Sequence, residues 1–155
     1  MNWTIRQATV GEIERLVDLR MAMFDAMDLL DEEVRERTRG DCLTYFEATL
    51  PSEAFRVWII ETDDTLVASI GLVVHSIPPS PFNRIGKEGY IMNLVTLPEW
   101  RRRGAARALL NHVLGVLRDE GIPAATLHAS ADGRSLYEEL GFSVSGELPE
   151  MRMYL

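Results

Sequence analysis

The chain has little cysteine, no long apolar run and a deficit of positive charge. Its single cysteine, Cys42, excludes an intramolecular disulfide framework and fits a reducing compartment. No apolar run approaches the roughly 20 residues of a membrane span, and the first residues lack a signal-peptide pattern. With 16 Lys and Arg against 24 Asp and Glu, the formal net charge is −8, which argues against nucleic-acid binding. We therefore expect a cytoplasmic protein whose partners include neither nucleic acid nor a membrane.

What is present is the composition of an ordinary globular protein. The 155 residues are 46% hydrophobic and 26% charged, and a chain of this length can bury a sizeable core. The sequence shows no repeat, no low-complexity tract and no linker. We therefore expect one domain over residues 1–155.

Hydrophobic periodicity and turn residues predict a mixed α/β chain in the order β-α-α-β-β-β-α-β-α-β-β. Thr9 and Glu12 form a capping-box pattern before a helix that runs to about Met27. Asp31 is expected to cap a second helix, which Pro51 ends. The strands are expected over 3–6, 54–61, 66–75, 90–97, 124–128, 142–145 and 151–155, and the other helices over 104–120 and 132–140.

The most informative stretch is Arg-Arg-Arg-Gly-Ala-Ala at residues 101–106, between the strand 90–97 and a long amphipathic helix. A glycine at the mouth of a helix lets the backbone come close to a ligand. The first amides of the helix lack internal partners, and the helix dipole favours an anion there. With Arg107, four arginines surround this turn. The arrangement predicts a site for a pyrophosphate.

Three segments, in this order, resemble the GNAT N-acetyltransferase superfamily. Residues 5–9, Ile-Arg-Gln-Ala-Thr, are similar to the family's opening strand and first cap. Within 94–106, Arg101, Gly104 and Ala106 match the Q/R-x-x-G-x-G/A signature for acyl-CoA pyrophosphate. Residues 136–142, Leu-Tyr-Glu-Glu-Leu-Gly-Phe, resemble the family's L-Y-x-x-x-G-F segment. The resemblance covers nearly the whole chain.

The resemblance implies a fold and a donor site. The fold would be α/β (α+β), with a mixed, mostly antiparallel sheet, a central splayed strand pair and flanking helices. Acetyl-CoA would be the co-substrate, and no metal is expected. The amides of 102–107 would cradle the pyrophosphate, and the strand end at 94–97 would bind the pantetheine arm. The expected acetyl-CoA-binding residues are Leu94, Val95, Thr96, Leu97, Arg101, Arg102, Arg103, Gly104, Ala105, Ala106, Arg107, Ser130, Asp132 and Tyr137.

Two parts of this donor site have alternatives. The side chains of Arg102 and Arg103 either pair with the adenosine 3′-phosphate or stay solvated. Ser130 and Asp132 precede the last helix, where many relatives carry an asparagine that touches the pantetheine. That asparagine is absent here, and Asp132 is also expected to cap the helix.

Direct acyl transfer needs a deprotonated amine, donors for the developing oxyanion and an acid for the leaving thiolate. Tyr137 lies where the family's acid tyrosine lies, and its alternative role is core packing. Glu88 and His75 are candidate bases, and His128, beside the slot, is a third. Water is the alternative to all of them. Cys42 is expected to lie away from the slot, so we expect no acyl-cysteine.

The acceptor side is less defined by sequence. Asn93 interrupts an apolar strand, and either bonds across the sheet where the strand distorts or faces the acceptor slot. The resemblance implies that the first two helices and the loop around 78–82 cover the acceptor. The acidic residues between 25 and 33 either favour a cationic amine or form a solvated turn. The methionines and Phe24 of the first helix, at 21–27, either line the acceptor site or belong to the core.

The expected activity is transfer of an acetyl group from acetyl-CoA to a primary amine of a small molecule or a peptide. The alternative is a non-catalytic acyl-CoA-binding or regulatory module, because no residue is an unmistakable base. A homodimer is possible through residues 151–155, which we expect to form an edge strand.

Overall fold

The computed structural model describes residues 3–144 and 150–155. The strands are β1 Thr4–Gln7, β2 Arg56–Thr62, β3 Thr65–Ser76, β4 Lys87–Thr96 and β5 Ala125–Thr126. The helices are α1 Ile13–Ala26, α2 Glu32–Thr49, α3 Ala105–Asp119 and α4 Arg134–Glu139. Short 3-10 turns, Val10–Glu12 and Pro98–Trp100, lie before α1 and α3. None of the helices in this described part is long and apolar enough to cross a bilayer.

The five strands form one sheet in chain order, antiparallel from β1 to β4 and parallel between β4 and β5. Asp63 (φ 47°) and Asp64 (φ 60°) turn β2 into β3, and two left-handed residues in succession are what a tight hairpin turn of type I′ needs. The β3–β4 ladder extends from Ala68–Thr96 to Ser76–Lys87. One edge of β4 is therefore paired with β3 over nearly its whole length.

The β4–β5 ladder has just two residue pairs, Gly89–Ala125 and Tyr90–Thr126. The ladder does not continue beyond Tyr90, which fits the splayed strand pair that the resemblance implies. Along this edge, the backbone groups of β4 after Tyr90 pair with no strand of the described residues.

Helices cover both faces of the sheet. Leu109, Leu110 and Val113 of α3 are fully buried against one face. Helices α1 and α2 cover the other, where Val17 and Phe46 pack with strand residues. Two hydrophobic clusters result, and the sheet separates them.

The predicted helix boundaries mostly follow from capping residues and are confirmed. Thr9 and Glu12 form the capping box, and Asp31 Oδ1 accepts a hydrogen bond of 2.8 Å from the Val34 amide. Gly104 (φ 86°) begins α3, and Gly121 (φ 69°) follows its end. Each cap satisfies or redirects backbone groups that the helix itself leaves unpaired.

Three predictions about the C-terminal part are wrong. Phe142–Val144 and Met151–Leu155 are not strands, while Ser145 lies outside the described residues. The strand expected over 124–128 shrinks to β5, so this strand offers only a short edge for a further strand to join. Because 151–155 is exposed and irregular, the edge-strand basis for a dimer is lost.

The cap of α4 also differs from the prediction. The helix begins at Arg134 with Gly133 at the N-cap and no capping side chain. Ser130 Oγ accepts a hydrogen bond of 3.2 Å from the Gly133 amide, so serine and not Asp132 orders this turn.

Candidate active site

A β-bulge in β4 marks the centre of the site. Ser69 pairs with Val95 and Gly71 with Met92, so two residues of β4, Asn93 and Leu94, face a single residue of β3. Asn93 has φ 53°, in the left-handed region that asparagine tolerates better than most residues. The strand distorts at Asn93, but the Asn93 side chain does not bond across the sheet: its Oδ1 accepts a hydrogen bond from Arg20 of α1.

The turn after β4 has the backbone of an anion-binding loop. Arg102 (φ 61°) and Gly104 (φ 86°) are both left-handed, and the first bond of α3 runs 3.0 Å from the Ala108 amide to the Gly104 carbonyl. The amides of 105–107 therefore precede the first helical donor and have no carbonyl acceptor within the helix. A Cβ placed on Gly104 would meet no atom within 4 Å, so the space in front of it is open.

The arginine side chains of the turn are engaged locally. Arg101 Nε donates a hydrogen bond of 3.2 Å to the Thr96 carbonyl, and the Arg103 guanidinium lies 5.0 Å from the Trp100 ring centroid. Arg107 pairs with Glu139 of α4. The backbone amides and the exposed Arg102 are thus the groups that remain available to an anion.

Thr96 adds a polar atom at the end of β4. Its Oγ1 is buried and has no hydrogen-bond partner within the described part of the chain. A buried hydroxyl without a partner is costly unless a ligand supplies one. Together with the open amides of the turn, this donor set fits the pyrophosphate and pantetheine of acetyl-CoA.

A cavity of about 360 Å³ lies between α1, α2 and β4. Its size is within the range of small-molecule sites. It reaches the strand at Met92 and Asn93, on the bulge itself. The full lining is Arg20, Phe24, Thr38, Asp41, Cys42, Tyr45, Phe46, Met92 and Asn93.

Arg20 lines the cavity and is a candidate site residue that the sequence predictions missed. Its Nη1 donates to Asn93 Oδ1, and its guanidinium lies 4.6 Å from the Phe24 ring centroid. A signal for it exists in the sequence. Arg20 follows Leu16 and precedes Phe24 at intervals of four, so a charged residue sits on the apolar face of α1.

Tyr137, the predicted acid, lies half-buried on α4. Its ring is 6.1 Å from that of Phe142, edge to face, and Gly133 makes room for it, since a Cβ there would come within 2.8 Å of the ring. Burial raises the pKa of the Tyr137 phenol. The phenol therefore stays protonated over a wider range, and its hydroxyl makes no hydrogen bond within residues 3–144 and 150–155.

The predicted bases lie on the α1–α2 face of the sheet. Glu88 is part of β4 instead of the preceding loop, and its Oε1 accepts a hydrogen bond of 2.9 Å from Thr126 Oγ1. His75 is exposed at the end of β3, with its ring stacked 5.9 Å from that of Tyr90.

The third candidate, His128, belongs to a hydrogen-bonded chain. Tyr90 Oη lies 2.9 Å from His128 Nδ1, and His128 Nε2 pairs with Glu150. The His128 hydrogen bond, followed by that of Arg152, holds the pKa of the Glu150 carboxyl below its usual range. Tyr90 and Met92 point to the same side of β4, so this chain lies on the face that holds the cavity.

Several other predicted residues can be placed. Cys42 is buried on α2 and lines the cavity between α1, α2 and β4. Met21 is buried in the core, while Phe24 lines the cavity and Met27 is exposed. In the acidic stretch, Asp25 pairs with Arg35. Within the residues that the structure describes, no group of three or more acidic, His or Cys side chains could hold a metal ion.

The fold is that of an acyl-CoA-dependent transferase. Residues 14–142 match the family model described as the acetyltransferase (GNAT) family, and the chain belongs to that family. Enzymes of this family use acetyl-CoA as co-substrate, so the chain is an acyltransferase. The resemblance and fold class inferred from sequence are both confirmed.

Solved structures agree with this assignment. A predicted acetyltransferase from Clostridium acetobutylicum, solved with acetyl-CoA, is 25% identical over 97% of this chain and 96% of that one, with a TM-score of 0.86. A GCN5-related N-acetyltransferase from Ralstonia eutropha JMP134 is 28% identical over 97% and 99%, with a TM-score of 0.86. Glucosamine-6-phosphate N-acetyltransferase from Arabidopsis thaliana, at 16% identity over 99% of each chain and a TM-score of 0.73, shares the fold. No curated protein matches this chain in sequence.

Proposed function

We propose that this enzyme transfers the acetyl group of acetyl-CoA directly to a primary amine bound in the cavity between α1, α2 and β4. One observation carries the proposal: a single strand joins the two sites. The cavity reaches β4 at Met92 and Asn93, and the amide-rich turn follows the same strand directly after Thr96. An amine in the cavity and a thioester held along β4 would meet at the bulge.

The donor would be held mainly by backbone groups. In this proposal the amides of 102–107 hold the pyrophosphate, and residues 94–97 bond the pantetheine arm along the edge that β5 leaves. Support comes from the short β4–β5 ladder and from the left-handed Gly104. The Clostridium acetobutylicum structure, which contains acetyl-CoA, covers 97% of this chain.

Groups of the chain would then stabilise the negative charge that develops on the carbonyl oxygen and supply a proton to the departing thiolate. Acetyl-CoA supplies an acyl group activated as a thioester. A backbone amide at Leu94 or Val95 would donate to the carbonyl oxygen as negative charge develops there. Tyr137 would hold the proton for the departing thiolate, and the raised pKa of its phenol keeps that proton available.

The proton of the amine would leave through Tyr90, His128 and Glu150. With Glu150 accepting from His128 Nε2–H, the lone pair of Nδ1 is free to accept from Tyr90 Oη. Tyr90 can then take a proton from the amine while passing its own to His128. Glu88 and His75 stay predictions as alternative bases, with water as a relay.

Replacing His128 tests this route. We expect His128→Ala to lower kcat/KM by about a hundredfold near neutral pH. Glu88→Gln should leave kcat/KM unchanged. A loss of this size in Glu88→Gln, with His128→Ala unaffected, would assign the base to Glu88.

The proposed donor site is tested by Gly104→Asp. The new carboxylate would enter the open space in front of the turn and repel a pyrophosphate, so acetyl-CoA binding in calorimetry should be abolished. Gly104→Asn has the same shape without the charge and should retain measurable binding. Gly121→Asp, at the left-handed position after α3, controls for backbone strain and should bind as the parent does. Unchanged affinity in Gly104→Asp would contradict the pyrophosphate assignment.

A further inference from the structure

We propose that the acceptor is an amine with a carboxylate close to its amino group, as in an amino acid, and that Arg20 binds this carboxylate. The inference rests on the proposed function, because it names the class of amine that the cavity takes. It is carried by a guanidinium in the cavity wall whose charge is not balanced by any carboxylate of the described residues.

Both groups that contact the Arg20 guanidinium are uncharged. Its Nη1 donates to the amide oxygen of Asn93, and its guanidinium stacks 4.6 Å from the centroid of the Phe24 ring. Within residues 3–144 and 150–155, Arg20 makes no ion pair. A charge that is partly removed from water is expensive unless an opposite charge approaches it. The missing partner is therefore an anion that enters the cavity.

Other arginines packed around α1 and α2 differ from Arg20 in this respect. Acidic side chains are abundant in this chain, with 24 Asp and Glu, so a partner for Arg20 was available to the fold. The ion pairs formed by the others are Arg15 with Glu12 and Glu61, Arg35 with Asp25, and Arg39 with Glu14 and Asp18. Arg37 also lacks an ion pair among the described residues, but it is exposed to water. Among the partly buried arginines of α1 and α2 in this part of the chain, Arg20 is the exception, which is the pattern of a side chain whose partner is a ligand.

The charges in the cavity wall favour a carboxylate over a phosphate. Arg20 and Asp41 are its cationic and anionic side chains. An amino acid also carries one charge of each sign. A phosphate dianion would meet a single guanidinium and would be repelled by Asp41. With Nη1 bonded to Asn93, the remaining N–H groups of Arg20 can still form the paired hydrogen bonds that a carboxylate accepts.

The position of Arg20 sets the distance between the two groups of the acceptor. Its partner, Asn93, is the bulge residue of β4, where the proposed transfer takes place. A carboxylate on Arg20 and an amine at the bulge are therefore neighbours, as they are in an α- or β-amino acid. The aromatic rings of Phe24, Tyr45 and Phe46 line other parts of the cavity and suit an apolar side chain.

The test compares acids with their amides. Thiol release from acetyl-CoA is measured with the common L-amino acids, with their carboxamides and with glucosamine 6-phosphate. The amine of a carboxamide is the weaker base and is more often deprotonated, so chemistry without recognition favours the amide. We expect kcat/KM for the preferred amino acid to exceed that for its amide by about tenfold to a hundredfold.

Variants connect this preference to Arg20. Arg20→Met should raise KM for the amino acid by about the same factor, bring the acid-to-amide ratio close to one and leave KM for acetyl-CoA unchanged. Arg20→Lys keeps the charge and should restore part of the preference. The control is Arg37→Met, an exposed position on α2, which should retain the parent ratio.

The outcomes separate the inference from the proposed function. Equal or better use of amides, or a higher kcat/KM for glucosamine 6-phosphate, would overturn the carboxylate assignment while transfer to amines stands. If no amine is acetylated, the proposed function fails, and calorimetry of the amino acids and amides in the presence of CoA decides the inference separately. Tighter binding of acids that is lost in Arg20→Met supports it, and equal binding overturns it.

Discussion

The proposed donor side, residues 94–107, and the proposed acceptor side, the cavity between α1, α2 and β4, differ in the groups that they offer to a ligand. On the donor side Arg101, Arg103 and Arg107 contact Thr96, Trp100 and Glu139, and the groups left for a ligand are backbone amides and the exposed Arg102. On the acceptor side the groups left for a ligand are side chains, among them the guanidinium of Arg20. A site made of backbone suits a co-substrate that is common to the family, whereas side chains can change with the acceptor.

The strand β4 belongs to both sides, and Asn93 is where they join. Its left-handed backbone forms the bulge that leads to the donor turn, and its side chain holds Arg20 in the cavity. Substitutions that separate these two roles test whether the sides are independent.

The largest effect is expected at Asn93. Asn93→Val places a β-branched residue in the left-handed region, at a cost of about 1 to 2 kcal/mol, and should straighten the strand. We expect weaker acetyl-CoA binding together with a fall in kcat/KM of about a hundredfold, since misplaced reacting groups lose rate steeply. Calorimetry and thiol-release kinetics measure the two effects.

Asn93→Gly is the matched variant, because glycine keeps the positive φ and removes the amide. Acetyl-CoA affinity should stay at the parent value, while KM for the amine rises about tenfold. Equal loss of donor affinity in both variants would show that the two sides cannot be separated at this residue.

An intermediate effect is expected from Tyr137→Phe, which changes the donor side without touching the turn. Losing the phenolic proton should lower kcat by about tenfold to a hundredfold, at the low end of acid catalysis, because a thiolate leaves easily. Since burial raises the pKa of Tyr137, the parent should lose activity only at strongly alkaline pH as this phenol ionises. That alkaline limb should be absent in the variant, and acetyl-CoA affinity should not change.

Tyr154→Phe, an exposed tyrosine, is the control and should behave as the parent does. An unaltered rate and pH profile in Tyr137→Phe would remove Tyr137 as the acid.

The smallest effect on activity is expected at Glu12, which lies on neither side. Arg6 donates two hydrogen bonds to this buried carboxylate, 2.7 and 2.9 Å long, and lowers its pKa from 4.5 to about 2. A lowered pKa stabilises the fold above pH 4.5, and the stabilisation is lost as the pH falls toward 2. Glu12→Gln should therefore reduce the free energy of unfolding by on the order of 2 to 3 kcal/mol at pH 7.

Urea unfolding measured from pH 7 downward should show this difference shrinking below pH 4.5. The kinetics of the folded variant should match those of the parent. Glu47→Gln, at an exposed position of α2, should leave stability unchanged. A difference that grows with acidity would contradict the role given to Arg6.

The strand, turn and helix of the proposed donor side were predictable because their signals are local. Pro98 ends a strand, Gly104 permits a left-handed turn and the apolar face of α3 follows within a few residues. The pairing of Arg20 with Asn93 joins residues 73 positions apart, and no local pattern brings them together. The position of Cys42 in the cavity wall likewise depends on how α2 packs, which capping residues do not determine.

The C-terminal errors have a related cause. Residues 142–145 and 151–155 have strand-like composition, but a segment becomes a β-strand only where a neighbouring strand forms hydrogen bonds with it. With β5 limited to Ala125–Thr126, there is little edge to extend. The β-propensity of one segment carries no information about the length of the strand that it would pair with.

The bulge at Asn93 also determines which face of the sheet each later side chain of β4 points to. Ile91 and Val95 are four residues apart and would share a face in a regular strand. Here Ile91 packs in the cluster under α3, and Val95 in the cluster under α1 and α2. The extra residue shifts the alternation by one step. Deleting a single residue between Ile91 and Val95 would thus invert the end of β4 and rotate Thr96 and the arginine turn to the opposite side of the sheet.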